Sequence, residues 1–321
     1  MNSSQEPLFV RLLAQSPLSK RELIVLLGTA PGRYKEHYIE KRNGRGKRLI
    51  SQPTAELKYF QRLLVNLELI NLPIHASATA YRQGSSIKAH ALPHAISKYL
   101  LKLDFQNFFP SFTEHAIRRL LNTSANYTEL EQWMICQLLC KRQLGESGLH
   151  LSIGAPSSPF ISNALMYGFD QIVAEFCLSR NVVYTRYADD IALSTSTPRL
   201  LNEIYDFVRA LTTSMEYLGL SLNESKTVNV SRKYRRTLTG LTLSNAGSAS
   251  IGRDQKRILR AAVHAFSMNR VPAMPSPRLR GMLAFVYSVD PIWVRDLCKR
   301  YGIASISGIG LGTLSLGDHD V

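Results

Sequence analysis

Val182-Val183-Tyr184-Thr185-Arg186-Tyr187-Ala188-Asp189-Asp190-Ile191-Ala192-Leu193 is the stretch on which the reading of this chain turns. Two adjacent carboxylates stand between two apolar runs, which predicts a β-hairpin with an acidic tip. Strands bury their apolar side chains and leave the tip free, so both acids can reach a cleft. Paired carboxylates there suit Mg²⁺, a hard cation that takes oxygen ligands and also binds substrate phosphates. An ordinary Asp-Asp turn accounts for the same residues, because Asp is favoured in turns. The rest of the chain weighs between the two.

A third acid lies upstream in Leu101-Lys102-Leu103-Asp104-Phe105-Gln106-Asn107-Phe108-Phe109-Pro110. The short alternating run predicts a strand that ends at Asp104. A carboxylate at a strand end, beside a carboxylate hairpin, is how a two-metal phosphoryl-transfer site is assembled. Two ions about 3.5–4 Å apart clamp the attacking and leaving oxygens of an in-line displacement. Asp104 as a helix N-cap or turn acid is the competing reading.

The chain has 321 residues, 45% of them hydrophobic, enough for a sizeable core and two or three subdomains. Its 39 Lys and Arg against 24 Asp and Glu give a formal charge of +15, which points to a polyanionic partner. No apolar stretch reaches the roughly 18 residues that span a bilayer, so no membrane role is expected. Met1-Asn2-Ser3-Ser4-Gln5-Glu6 lacks the basic and apolar regions of a signal peptide. Four cysteines without ligand spacing read as buried thiols, and a cytoplasmic setting fits.

Helical patterns are expected over residues 7–30, 56–70, 114–143, 160–178 and 199–219, the first with a Ser19/Glu22 capping box. Residues 41–48 form a basic, Gly-containing turn suited to phosphate contact or to plain solvent exposure. Ser157 or Ser158 is expected to cap the helix that begins near Pro159. The run 231–237 sets Arg232, Lys233, Arg235 and Arg236 around Tyr234, a mixture suited to RNA stacking and phosphate contact. Residues 254–301 predict an all-helical region with Lys256, Arg257 and Arg260 on its first helix, and 303–321 a loose Gly/Ser-rich tail.

Five segments in this order resemble the motifs of a reverse transcriptase, from about Lys47 to Gly240. They are Arg48-Leu49-Ile50-Ser51-Gln52-Pro53, Asp104 with Phe109, Gly154-Ala155-Pro156-Ser157-Ser158-Pro159, Tyr187-Ala188-Asp189-Asp190, and Gly219 to Thr227. Two further segments narrow the likeness to retron reverse transcriptases. His90-Ala91-Leu92-Pro93-His94 resembles their Asn-Ala-x-x-His element, with His90 for Asn. Leu238-Thr239-Gly240 resembles their Val-Thr-Gly triplet, with Leu238 for Val. Ile153 stands where the family commonly has Gln, which removes a hydrogen bond to nucleotide or template.

The resemblance implies an α+β right-hand polymerase, with an antiparallel palm sheet plus helices. Its parts would be an N-terminal helical segment (1–30), fingers (31–100, with part of 111–155), palm (101–245), helical thumb (246–302) and flexible tail (303–321). It implies two Mg²⁺ ions, or Mn²⁺ as a substitute, on Asp104, Asp189 and Asp190, with Lys226 near the triphosphate. It assigns nucleotide contact to Lys47, Arg48, Phe105, Phe109, Gly154 and Ala155, with the Phe109 ring excluding a ribose 2′-hydroxyl. It makes His90 and His94 RNA-contacting or structural. The implied activity is RNA-directed DNA synthesis from dNTPs on a cognate structured noncoding RNA, primed from a guanosine 2′-hydroxyl and giving an RNA/DNA hybrid and RNA-linked DNA (msDNA). The implied setting is antiphage defence with an effector protein encoded nearby. A group II intron or abortive-infection reverse transcriptase, or a non-catalytic RNA-binding scaffold of the same fold, are the alternatives.

Overall fold

The computed structural model describes residues 6–40, 46–124, 127–142, 148–268, 270 and 274–309. Residues 41–45 of the basic turn expected over 41–48, part of the Pro-rich link (271–273) and the tail beyond 309 lie outside the described residues. The chain falls into two compact units, one of residues 1–85 and 99–229, the other of 86–98 and 230–321.

In the first unit, β1 (Tyr34–Glu40) and β2 (Lys47–Pro53) form an antiparallel ribbon, pairing Glu40 with Lys47 and Tyr34 with Pro53. β3 (Tyr99–Asp104) belongs to a separate sheet, and β4 (Lys141–Arg142) pairs with β5 (Leu149–His150). β6 (Val183–Tyr187) and β7 (Asp190–Thr195) form the expected hairpin. With β8 (Val228–Ser231) they complete a four-stranded sheet in the order β6-β7-β3-β8.

Two-residue periodicity decides which face of that sheet is buried. Leu101, Leu103 and Phe105 alternate into the core, as do Ile191 and Leu193 of β7, in the cross-strand pairs Leu103–Ile191 and Leu101–Leu193. Asp104, Lys102 and Leu100 take the opposite face, opposite Asp190, Ala192 and Ser194. The same core takes in Leu57, Phe60 and Leu64 of the helix Ala55–Leu64 and Ile161, Phe169 and Val173 behind the sheet.

Several expected helices are split. Residues 7–30 form Leu8–Ala14 and Lys20–Thr29, the latter opened by the Ser19/Glu22 capping box. A second capping box, Thr128/Glu131, begins Glu129–Leu139 after the helix Glu114–Ser124. The helix expected over 160–178 breaks at Met166 into Ser158–Leu165 and Tyr167–Leu178. Ser157 is its N-cap but makes no side-chain cap bond, while Pro159 occupies the first turn. Cys136, Cys140 and Cys177 are buried thiols and Cys298 is half-buried.

The second unit has the helix Ile87–Ala91, a three-stranded sheet and three longer helices, Arg253–Ser267, Ser276–Val289 and Pro291–Arg300. In the sheet, β9 (Arg236–Leu238), β10 (Leu241–Leu243) and β11 (Ala249–Ser250) run in the order β11-β10-β9. The triplet Leu238-Thr239-Gly240 is the β9–β10 turn: Leu238 pairs with Leu241, and Thr239 and Gly240 both have positive φ, 44° and 85°. Two positive-φ residues match the right-handed twist of a two-residue hairpin, which is why Gly stands second. Asp290 caps the last helix by accepting from the Trp293 N–H, and it also pairs with Lys256 at 2.7 Å.

Candidate active site

The sheet register sets Asp104 directly across from Asp190, and the two-residue turn Ala188–Asp189 places the third acid beside them. Ala188 takes the left-handed φ of 57° that this tight turn requires. The Phe105 N–H donates to the Asp189 carbonyl at 3.3 Å, and the Asn223 N–H donates to the Asp104 carbonyl at 2.7 Å. The backbone on both sides of Asp104 is thereby fixed, to the hairpin turn and to the segment leading to Lys226. A short 3-10 turn, Glu224–Lys226, aims the Lys226 ammonium at Asp104 Oδ1, 2.7 Å away.

Like charges at this spacing oppose one another. Dehydration of the cleft face, then the charges of Asp189 and Asp104, push the Asp190 carboxyl up to about 7, although the residue keeps an open surface. Dehydration and Asp104 raise Asp189 as well, while Lys226 and Arg48 act the other way. Three oxygen-only donors whose negative charge Lys226 only partly offsets are chemically matched to a hard divalent cation. Among the described residues, no group of three or more His, Cys, Asp or Glu is arranged as a ready-made cage. Mg²⁺ does not need one, because it completes its octahedron with water and substrate phosphates. The donor set therefore fits Mg²⁺.

Around the acids, Phe109 is partly buried on the core and lies 6.5 Å, ring to ring, from Tyr81, which is 48% exposed. Asn107, at a left-handed φ of 45°, starts the short helix Phe108–Ser111 that carries Phe109. Gly219 supports that helix from behind: a Cβ there would sit 2.6 Å from the Ser111 carbonyl oxygen. Lys47 and Arg48 are exposed at the start of β2, and the charge of Arg48 is felt at both Asp189 and Tyr81. Gly154 has φ +119°, and a Cβ on it would meet the Ser51 carbonyl at 2.8 Å, so the 153–155 segment closes on β2 only with glycine. The Ser51 N–H donates to the Ile153 carbonyl at 2.8 Å, which gives Ile153 a backbone role that is indifferent to its side chain. Ala155 is buried beside it.

Besides Asp104 and Ala155, four residues expected at ligand surfaces have buried side chains. The Phe105 ring is 2% exposed and stacks on Phe108 at 5.9 Å, so it is a core ring and not a nucleotide-facing one. His90 and His94 are fully buried; burial lowers their pKa values to about 4 and about 3 and keeps both neutral. They are structural and offer RNA no surface. Arg236 is 1% exposed and spends its guanidinium on the carbonyls of Ser97, Ala95 and Ser244. Arg232 is half-buried and bonds to the carbonyls of Ile96 and Ser97. Lys233, Arg235, Arg257 and Arg260 are exposed, Arg235 and Arg257 near Asp254, while Lys256 is half-buried against Asp290 and over the Trp293 ring.

A buried polar cluster behind the hairpin went unread in the sequence. Arg186, wholly buried, donates to both carboxylate oxygens of Asp170 at 2.8 and 2.6 Å, to Asn163 Oδ1 at 3.2 Å and to the Ala188 carbonyl at 3.0 Å. Its signal was present in part: Asn163 and Asp170 are polar residues in a helical stretch rich in apolar ones.

Residues 39–243 match the family model of reverse transcriptase (RNA-dependent DNA polymerase). Over 293 residues the chain is 36% identical to the retron Ec83 reverse transcriptase of Escherichia coli, across 89% of this chain and 92% of that protein. This chain belongs to the retron reverse transcriptases. The retron Ec86 reverse transcriptase of Escherichia coli is 29% identical to it over 293 residues, 89% of this chain and 88% of that protein. Among solved structures, apo telomerase from Candida tropicalis shares the fold with a TM-score of 0.51 at 14% identity, over 85% of this chain and 53% of that one. This retron reverse transcriptase is thus an RNA-directed DNA polymerase of mixed helix and antiparallel sheet. Among its described residues, no helix is long and apolar enough to cross a membrane.

Proposed function

We propose that this retron reverse transcriptase copies a cognate structured noncoding RNA into single-stranded DNA that stays joined to the RNA, starting from a guanosine 2′-hydroxyl within it. The observation that carries the reading is the Asp104–Asp190 register with Asp189 at the adjoining turn, in a chain 36% identical to a retron reverse transcriptase over most of its length. Asp104, Asp189 and Asp190 would hold two Mg²⁺ ions, or Mn²⁺ in their place. When bound, these supply positive charge at the attacking hydroxyl and the leaving oxygen.

The chain's own residues do the remainder. Arg48 and Lys47 meet the triphosphate as cations on an exposed strand start. Phe109, backed by Tyr81, presents a ring beneath the sugar that leaves no space for a 2′-hydroxyl. Gly154 and Ala155 keep the facing wall small. The hydroxyl attacks the α-phosphorus of the dNTP, the bond to the β-phosphate oxygen breaks, and pyrophosphate departs. Lys226 leaves Asp104 to neutralise or protonate that pyrophosphate. Lys233, Arg235, Arg257 and Arg260 offer exposed cations to the RNA or the RNA/DNA hybrid. The fingers, palm and thumb divisions, a cytoplasmic site and antiphage action through a neighbouring effector protein complete the proposal.

The test is to sequence the nucleic acid that copurifies with the chain expressed from its native flanking DNA, beside Asp189→Ala. A discrete single-stranded DNA attached to RNA, lost in the mutant, is the expected result. RNA without DNA in both samples would indicate a scaffold. DNA copied from many unrelated RNAs would indicate a different reverse-transcriptase activity.

A further inference from the structure

Arg186 lies one residue before the Tyr187-Ala188-Asp189-Asp190 segment, with its side chain on the face away from the acids and fully buried. Burying a guanidinium is costly unless every nitrogen finds a partner. Here each does: Nε and Nη2 reach the two oxygens of Asp170, and Nη1 divides between Asn163 Oδ1 and the Ala188 carbonyl. Asp170 is equally buried and also accepts from the Tyr184 hydroxyl at 2.6 Å. The ion pair alone would need only one edge of the guanidinium. The second edge is spent on the strained turn that carries Asp189.

The same residue also holds the opposite wall. The Arg186 N–H donates to the Ser77 carbonyl at 2.8 Å, and the Arg186 carbonyl accepts from the Thr79 N–H at 2.8 Å and the Thr79 hydroxyl at 3.0 Å. Asn163, itself bonded to Arg186, donates through Nδ2 to the Ala80 carbonyl at 2.9 Å. The next residue, Tyr81, is at a left-handed φ of 60° with its ring toward Phe109. A bulky residue with that φ persists only where its surroundings over-determine it.

We propose that Arg186 is a positioning residue for DNA synthesis: anchored on Asp170, it fixes the Ala188–Asp189 turn and, with Asn163, the backbone beneath Tyr81, so that the acids and the aromatic wall keep one relative placement. This rests on the reading that Asp189 and Asp190 are the reaction's acids. It assigns Arg186 no contact with nucleotide or metal; its effect passes through the Ala188 carbonyl and the 77–80 backbone.

The test uses the full chain as Arg186→Lys and Asn163→Ala, with Asp189→Ala in parallel. Lysine keeps a charge for Asp170 but is a point donor, not a fork, and cannot reach Asn163 and Ala188 as well. A misplacement of this kind reduces the primer-extension kcat of Arg186→Lys by about 10- to 100-fold. Half-saturation by Mn²⁺, read from loss of the free-ion EPR signal with a blocked primer-template and dNTP, rises about tenfold, with RNA affinity unchanged. Asn163→Ala leaves the ion pair in place and raises KM for dNTP about fivefold, with a smaller change in kcat. A folded Arg186→Lys, by thermal melting, with wild-type kcat and wild-type Mn²⁺ binding overturns the proposal. If Arg186→Lys does not fold, wild-type dNTP KM in Asn163→Ala overturns it instead. Normal extension by Asp189→Ala would show that the acids, not the brace, are misassigned.

Discussion

Replacing Asp190 by Asn should make the metal-free protein more stable at alkaline pH. The Asp190 carboxyl rises from 3.8 to about 7 because the cleft face dehydrates it and Asp189 and Asp104 repel its charge. The sign follows from proton counts. Between these two values the folded state holds a proton that the unfolded chain has lost, so stability falls as pH rises. The penalty is complete above about pH 7 and disappears as pH falls towards 4. A fully sealed carboxyl moved this far would cost about 4 kcal/mol. Asp190 keeps an open surface, and solvent screening reduces the cost to about 1–2 kcal/mol. For a folding unit of this size that is about 2–8 °C in melting temperature. Thermal melting at pH 8 in EDTA should therefore place Asp190→Asn above the wild type, with the gap closing as the buffer is taken down to pH 4. Added Mg²⁺ should stabilise the wild type more than the mutant, because only the wild type has all three carboxylates to neutralise. A mutant that melts at or below the wild type at pH 8 in EDTA would refute the repulsion between these acids.

Phe109→Ala should admit ribonucleotides; primer extension with rNTPs in place of dNTPs reads this, and unchanged sugar discrimination would remove Phe109 from that role. Lys226→Gln should slow extension by about 100-fold, the scale of losing one charge-stabilising donor. Since Lys226 holds the Asp189 and Asp190 values down, its loss should also move the acidic limb of the pH–rate profile to higher pH. Gly154→Ala should cost about 2–3 kcal/mol by denaturant titration, through the positive φ and the close approach to the Ser51 carbonyl.

The hairpin and the Asp104 strand were legible because alternation over a few residues assigns both a strand and its buried face. The chemistry was legible because three acids of one type recur in a fixed order. The split helices were harder: nothing periodic marks the break at Met166, which leaves the apolar pattern on both sides intact. The resemblance left His90 and His94 RNA-contacting or structural, and the basic run around Tyr234 pointed Arg236 to RNA, but burial of all three is set by groups that only the fold brings around them. The resemblance assigned Phe105 to the nucleotide, although the period of two already turned its ring to the core with Leu103. The role of Arg186 was legible only in part, through the polar Asn163 and Asp170. Its partners Asp170, Asn163 and Ser77 come from separate parts of the chain, Ser77 more than a hundred residues before Arg186, and only the fold assembles them.

The pairing of Asp104 with Asp190 is set by the same ladder that buries Leu103 against Ile191. The protein therefore gauges the separation of its acids by counting residues along β3 and β7. Side chains in these strands can be exchanged for others of similar shape at modest cost, but neither strand can gain or lose a single residue. An insertion between Tyr99 and Leu103 would carry Asp104 through the sheet and set Leu103 in its place, and a deletion there would set Phe105 in its place. Over evolutionary time these strands are free to drift in composition and frozen in length, and the freedom to vary in length belongs to segments outside that ladder.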